Sequence, residues 1–103
     1  MIRVCVLYPS GAGIRFDMAY YTSNHMPMVM QKCGPACRRI GADLGVSGGA
    51  AGMPAPYVAI GYLEFDSVSS FESNFNPHAR EILADIPNYT NAEPLVQVSE
   101  IKL

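Results

Sequence analysis

Nine consecutive residues, Tyr57 to Phe65, read YVAIGYLEF. Aromatic and β-branched side chains occupy both alternating sets, so as a strand this segment is apolar on both faces. Ile2 to Tyr8 has the same character and is stopped by Pro9-Ser10-Gly11. Ile2, Val4, Val6 and Tyr8 share one face of it, with Cys5 and Leu7 on the other. Strands of this kind need cover on both sides, which restricts the architecture more than any other feature of the chain.

The remaining elements say how that cover is supplied. Phe16 to Gly34 has helical character, with Asp17 able to cap its start, and Pro27 is expected to end a first segment or begin a second. Ala36 to Leu44 is a weaker strand, and Gly45 to Pro56 a glycine-rich loop that could also act as a flap. After Tyr57 to Phe65, Asp66-Ser67 opens another helix on which Phe71, Phe75, Ile82 and Ile86 recur at helical spacing. Asn76-Pro77 is expected to start a fresh helical segment, with Asn76 as its cap. Leu95 to Leu103 reads as the last strand. The order β-α-β-β-α-β on 103 residues predicts a single α+β domain, residues 1–103, with a ferredoxin-like four-stranded antiparallel sheet. Two helices cover one sheet face. Pairing with a second copy would cover the other.

Composition supports the dimer and removes several function classes. Only 16% of residues are charged while 50% are hydrophobic, sparse charge for a chain that must cover all its own surface. Seven basic residues against nine acidic give a net charge of -2, with no basic stripe to neutralise phosphates, so no nucleic-acid partner is expected. No apolar run is long enough to span a membrane, and the N-terminus does not read as a signal peptide, which makes cytoplasm the expectation. Cys5, Cys33 and Cys37 read as free thiols, with Cys5 buried in its strand. No nucleotide motif and no convergent ligand set appear, so neither a cofactor nor a metal is expected.

Chemistry concentrates in Phe16 to Met30, FDMAYYTSNHMPMVM. Asp17, Tyr21 and His25 are spaced four apart and fall on one helical stripe. His25 suits general acid-base catalysis, since imidazole titrates near neutral pH. It equally suits a helix-end cap bonded to a free carbonyl. Tyr21 could assist by donating to His25 or to a substrate oxygen, or could simply pack as core. Asp17 is weaker as a catalytic group, because two turns, roughly 12 Å of rise, separate it from His25. Tyr20, Met26, Met28 and His78 are candidates to line a pocket, the methionines as an adaptable apolar wall.

The chain resembles the EthD family of small α+β proteins. The resemblance rests on Phe16-Asp17 with Tyr20-Tyr21, His25-Met26-Pro27, Gly48 to Pro56 leading into Tyr57-Val58-Ala59-Ile60, and a C-terminal block. That block includes Phe65-Asp66-Ser67, Pro77-His78-Ala79, Asp85-Ile86-Pro87-Asn88, Thr90-Asn91 and Glu93-Pro94. It implies a dimeric α+β barrel, a homodimer with a cleft between sheet and helices in each subunit, and an association with ether-degrading monooxygenase systems. The expected function is binding of a small hydrophobic, carbonyl-bearing metabolite, with cofactor-free proton transfer by His25, isomerase- or cyclase-like, in catabolism. The alternatives are a non-catalytic accessory protein supporting a monooxygenase system, or a cofactor-free monooxygenase.

Overall fold

The computed structural model describes all residues, 1–103. Four strands, β1 (Ile2–Pro9), β2 (Arg39–Leu44), β3 (Tyr57–Phe65) and β4 (Leu95–Glu100), form one antiparallel sheet in the order β2-β3-β1-β4. The two strands apolar on both faces are the central pair, where cover is needed most. Their register sets Val4 opposite Leu63 and Tyr8 opposite Ala59. Ile2, Val4, Val6 and Tyr8 therefore share a face with Ala59, Leu63 and Phe65, and the helices close over it. Tyr8, Tyr21, Phe65 and Val4 are the largest side chains wholly buried there. This is the α+β, ferredoxin-like arrangement that the order of elements predicts.

The first helical run begins a new segment at Pro27, as expected, but keeps turning through it. The Asp17 carboxylate caps α1 (Met18–Tyr20), accepting from the Tyr20 N–H at 3.0 Å. A π-helical turn then spans Tyr21–His25, and α2 (Met26–Cys33) follows with Pro27 inside its first turn. The chain does not break. The Met26 N–H reaches back to the Tyr21 carbonyl, so the turn has already widened where the proline ring arrives. Gly34 ends α2 at a φ of 70°, in the left-handed region that suits glycine.

Other boundaries also shift. Residues Gly34–Ala36 form a 3-10 turn, so β2 begins at Arg39 rather than Ala36. β4 ends at Glu100, short of Leu103. Ser67 caps α3 (Val68–Phe75), accepting from Ser70 N–H. Asn76 makes no side-chain cap; with Pro77 and His78 it forms a 3-10 turn leading into α4 (Ala79–Ala84). The glycine-rich loop folds beside Ser10 and Gly11, with Ser10 N–H on the Pro56 carbonyl, and is no flap over the cavity described below.

The sheet face away from the helices is less uniformly apolar than the sequence suggests. Arg3 pairs with Glu64 at 2.8 Å and lies over the Tyr62 ring. That ring occupies the space where any Cβ at position 41 would sit, so a larger residue than Gly41 would have to push the half-buried ring aside. Cys5 lies on this face half-buried, not in the core as expected. All three cysteines are free thiols. On the edge strand, Leu95, Val96 and Val98 are exposed.

Candidate functional site

Between the sheet and the helices lies an apolar cavity of about 270 Å³. Its floor is Val4, Val6 and Leu63 from the sheet; its roof includes Met26, Phe71 and Ile82. Three side chains bring polar atoms to this lining: Tyr8, Tyr21 and His25. Tyr8 is delivered by β1, the other two by the π-helical turn.

His25 is 4% exposed. It does not cap the helix; instead its Nδ1 lies 2.9 Å from Oδ2 of Asp85, a residue sixty positions further along the chain. An ionised carboxylate only accepts, so the imidazole proton sits on Nδ1. Nε2 is then left with its lone pair, and the Tyr89 hydroxyl donates to it at 3.4 Å. Burial depresses the basicity of His25 and outweighs the opposing effect of Asp85, so its pKa falls below the ordinary histidine value. Burial would raise the Asp85 pKa, but hydrogen bonds from Tyr20, Asn88 and His25 together hold it below the usual carboxylate range. The pair is therefore neutral imidazole beside carboxylate at neutral pH, the state of a poised base.

Tyrosines surround this pair. The Tyr8 and Tyr89 hydroxyls are 2.6 Å apart. Tyr20 donates to the other Asp85 oxygen at 2.6 Å, and Asn88 to the same atom at 2.9 Å. Tyr21 does not hydrogen-bond His25. Their rings stack, with centroids 5.5 Å apart and planes 13° from parallel. The Tyr21 hydroxyl reaches the sheet over Gly61, in space any Cβ there would fill. Burial raises the pKa of Tyr8, Tyr21 and Tyr89 far above the ordinary phenol value.

The other sequence candidates scatter. Asp17 is an exposed helix cap. Met26 lines the cavity, whereas Tyr20 and Met28 line a separate polar cleft with Asn24, Lys32, Glu81 and Asp85. His78 lines neither. Sequence reasoning missed Asp85, Tyr89 and Tyr8. Local spacing carries no sign of them, since they meet His25 only through tertiary folding. No group of three or more His, Cys, Asp or Glu side chains converges to hold a metal.

The fold and cavity define a ferredoxin-like protein with an apolar chamber under its helices, and comparison with known proteins narrows this. A crystal structure of an EthD-like protein from Ralstonia eutropha JMP134 superposes with a TM-score of 0.94 at 42% identity, covering 99% of this chain and 92% of that one. The chain belongs to the EthD-like family. An EthD family protein from Bacillus halodurans C-125 shares the fold at 12% identity, with a TM-score of 0.67 and 99% of each chain covered. So does a dimeric ferredoxin-like protein of unknown function from Thermobifida fusca YX, at 17% identity, TM-score 0.63, and 97% and 90% coverage. No family model matches the chain, and no curated protein matches it.

Proposed function

We propose that this protein is a cytoplasmic homodimer that binds a small hydrophobic, carbonyl-bearing metabolite of a catabolic route and moves a proton on it without a cofactor. The observation that carries the reading is a buried, neutral His25 held by Asp85 on the wall of an otherwise apolar cavity. Asp85 fixes the tautomer and would stabilise the imidazolium that forms when His25 takes a proton, which makes Asp85 a positioning residue. Apolar walls favour a hydrocarbon body, and a carbonyl beside the phenols would acidify the neighbouring C–H. The dimer draws support from the uncovered sheet face, and the T. fusca protein of the same fold is described as dimeric. No helix is long and apolar enough to cross a membrane.

Hydrogen-deuterium exchange at the central carbon of acetylacetone in D2O, followed by proton NMR, tests the reading. Wild-type protein accelerates exchange, and His25→Gln removes the acceleration while leaving the fold intact by circular dichroism. Acceleration that survives in His25→Gln would refute a His25 base. Binding of apolar ketones with no acceleration at all would favour the accessory, non-catalytic reading.

A further inference from the structure

We infer that Tyr8 and Tyr89 form a proton relay between the cavity and His25, so that the group meeting the ligand is the Tyr8 hydroxyl rather than the imidazole. The inference rests on the proton-transfer reading above and assigns its working parts. Both nitrogens of His25 are already engaged: Nδ1 with Asp85 at 2.9 Å and Nε2 with the Tyr89 hydroxyl at 3.4 Å. Neither is free to meet a ligand directly. Directionality follows by elimination. Nε2 can only accept in this tautomer, so both contacts are hydrogen bonds when Tyr89 donates to Nε2 and Tyr8 donates to Tyr89 across 2.6 Å. Every donor in the chain Tyr8, Tyr89, His25, Asp85 therefore points the same way; Tyr8 and His25 line the cavity while Tyr89 does not, and of those two it is the Tyr8 hydroxyl that keeps acceptor capacity for a ligand proton.

The step balances without ionising a phenol. A proton leaves the ligand for the Tyr8 oxygen as the Tyr8 proton passes to Tyr89 and the Tyr89 proton passes to Nε2. The ligand becomes an anion and His25 an imidazolium facing Asp85. Both tyrosines end neutral, which matters because burial makes their phenolates costly. The far end of the chain is wet. Asp85 lines the polar cleft on the outside of the helices, with Lys32 and Glu81, so protons can equilibrate with solvent there while the ligand stays dry.

The test combines an NMR measurement on ligand-free protein with the acetylacetone exchange assay. In nitrogen-15 spectra, Nε2 of His25 should resonate as an unprotonated nitrogen accepting a hydrogen bond. Tyr89→Phe should move it downfield, toward the free value. Tyr8→Phe, which leaves Tyr89 in place, should move it the same way by a smaller amount, because hydrogen-bonded chains polarise one another. If Tyr8→Phe does not fold, 3-fluorotyrosine incorporation keeps the shape and makes the donors more acidic, and Nε2 should move upfield. In the exchange assay, Tyr89→Phe should lower kcat by about a hundredfold, the low end for general acid-base catalysis, while KM stays within about twofold. Nε2 unmoved by these changes, or wild-type kcat in Tyr89→Phe, overturns the relay. If the NMR shifts appear but wild-type protein exchanges no acetylacetone, the relay's hydrogen-bond order stands and the proton-transfer reading fails.

Discussion

At the scale of single residues, the site depends on small side chains as much as on reactive ones. Gly61 is needed because the Tyr21 hydroxyl occupies its Cβ position. Gly61→Ala should destabilise the protein by about 1–3 kcal/mol, the usual cost of overpacking, and chemical denaturation measures it. A smaller loss in Gly61→Ala made together with Tyr21→Phe would locate the clash at that hydroxyl. His25 makes a second residue-scale prediction, about pH. Its folded pKa lies below the unfolded value of about 6.5, so unfolded chains take up the proton first as pH falls. The stability that neutral, buried His25 contributes is complete above about pH 6.5 and is lost as pH falls through and below that value. The groups facing the ring are Asp85, Tyr89 and Tyr21. Tyr89 and Tyr21 stay neutral, and Asp85, held below the usual carboxylate range, stays charged at and just below pH 6.5. Thermal melting of His25→Gln should therefore show a flatter pH dependence there than wild type; parallel curves would contradict the assignment.

At the scale of elements, the π-helical turn Tyr21–His25 carries both polar groups. In a π turn, as in an α turn, residues four apart lie on one face, and here the rings of Tyr21 and His25 stack. The sequence placed these residues on one stripe and expected Pro27 to end a first helical segment or begin a second; α2 does begin beside it. The widened turn upstream lets that second segment follow the first without a break. Pro27→Ala restores the N–H and lets an ordinary α-helix run through. The expected outcome is loss of the Tyr21–His25 stacking, read as a change in the ring-current shift of the His25 protons, with little change in overall helix content. Asp85 belongs to the same scale: it stands between α4 and the 3-10 turn Ile86–Asn88, where its carboxylate gathers Tyr20, Asn88 and His25. Asp85→Asn should raise the population of the wrong imidazole tautomer and lower acetylacetone exchange by about a hundredfold or more.

At the scale of the whole molecule, helices cover the centre of one sheet face, with Val96 and Val98 of the edge strand still exposed on it, and the other face is open. The open face mixes the Arg3–Glu64 pair and Tyr62 with Leu7, Ile60 and the exposed Leu95. Light scattering at micromolar concentration should give twice the 11.2 kDa chain mass; a monomer would overturn the dimer. Removing core rather than surface acts differently. Phe65→Ala empties a fully buried position against Phe71 and should cost about 3–5 kcal/mol by denaturation.

Sequence alone determined the order of elements, the two central strands and the helix that carries His25, because periodicity, glycine, proline and capping residues act over a few neighbours. It also placed Tyr21 and His25 on one stripe. Tertiary structure alone decided what those residues meet. Asp85 and Tyr89 come from the far end of the chain, and Tyr8 from a strand whose alternation marks it as ordinary core. It also separated Met28 and Tyr20 from the cavity and left Asp17 as a cap. The physical reason is range: backbone preferences are local, whereas a hydrogen bond between residues sixty positions apart exists only after the sheet and helices have closed around it.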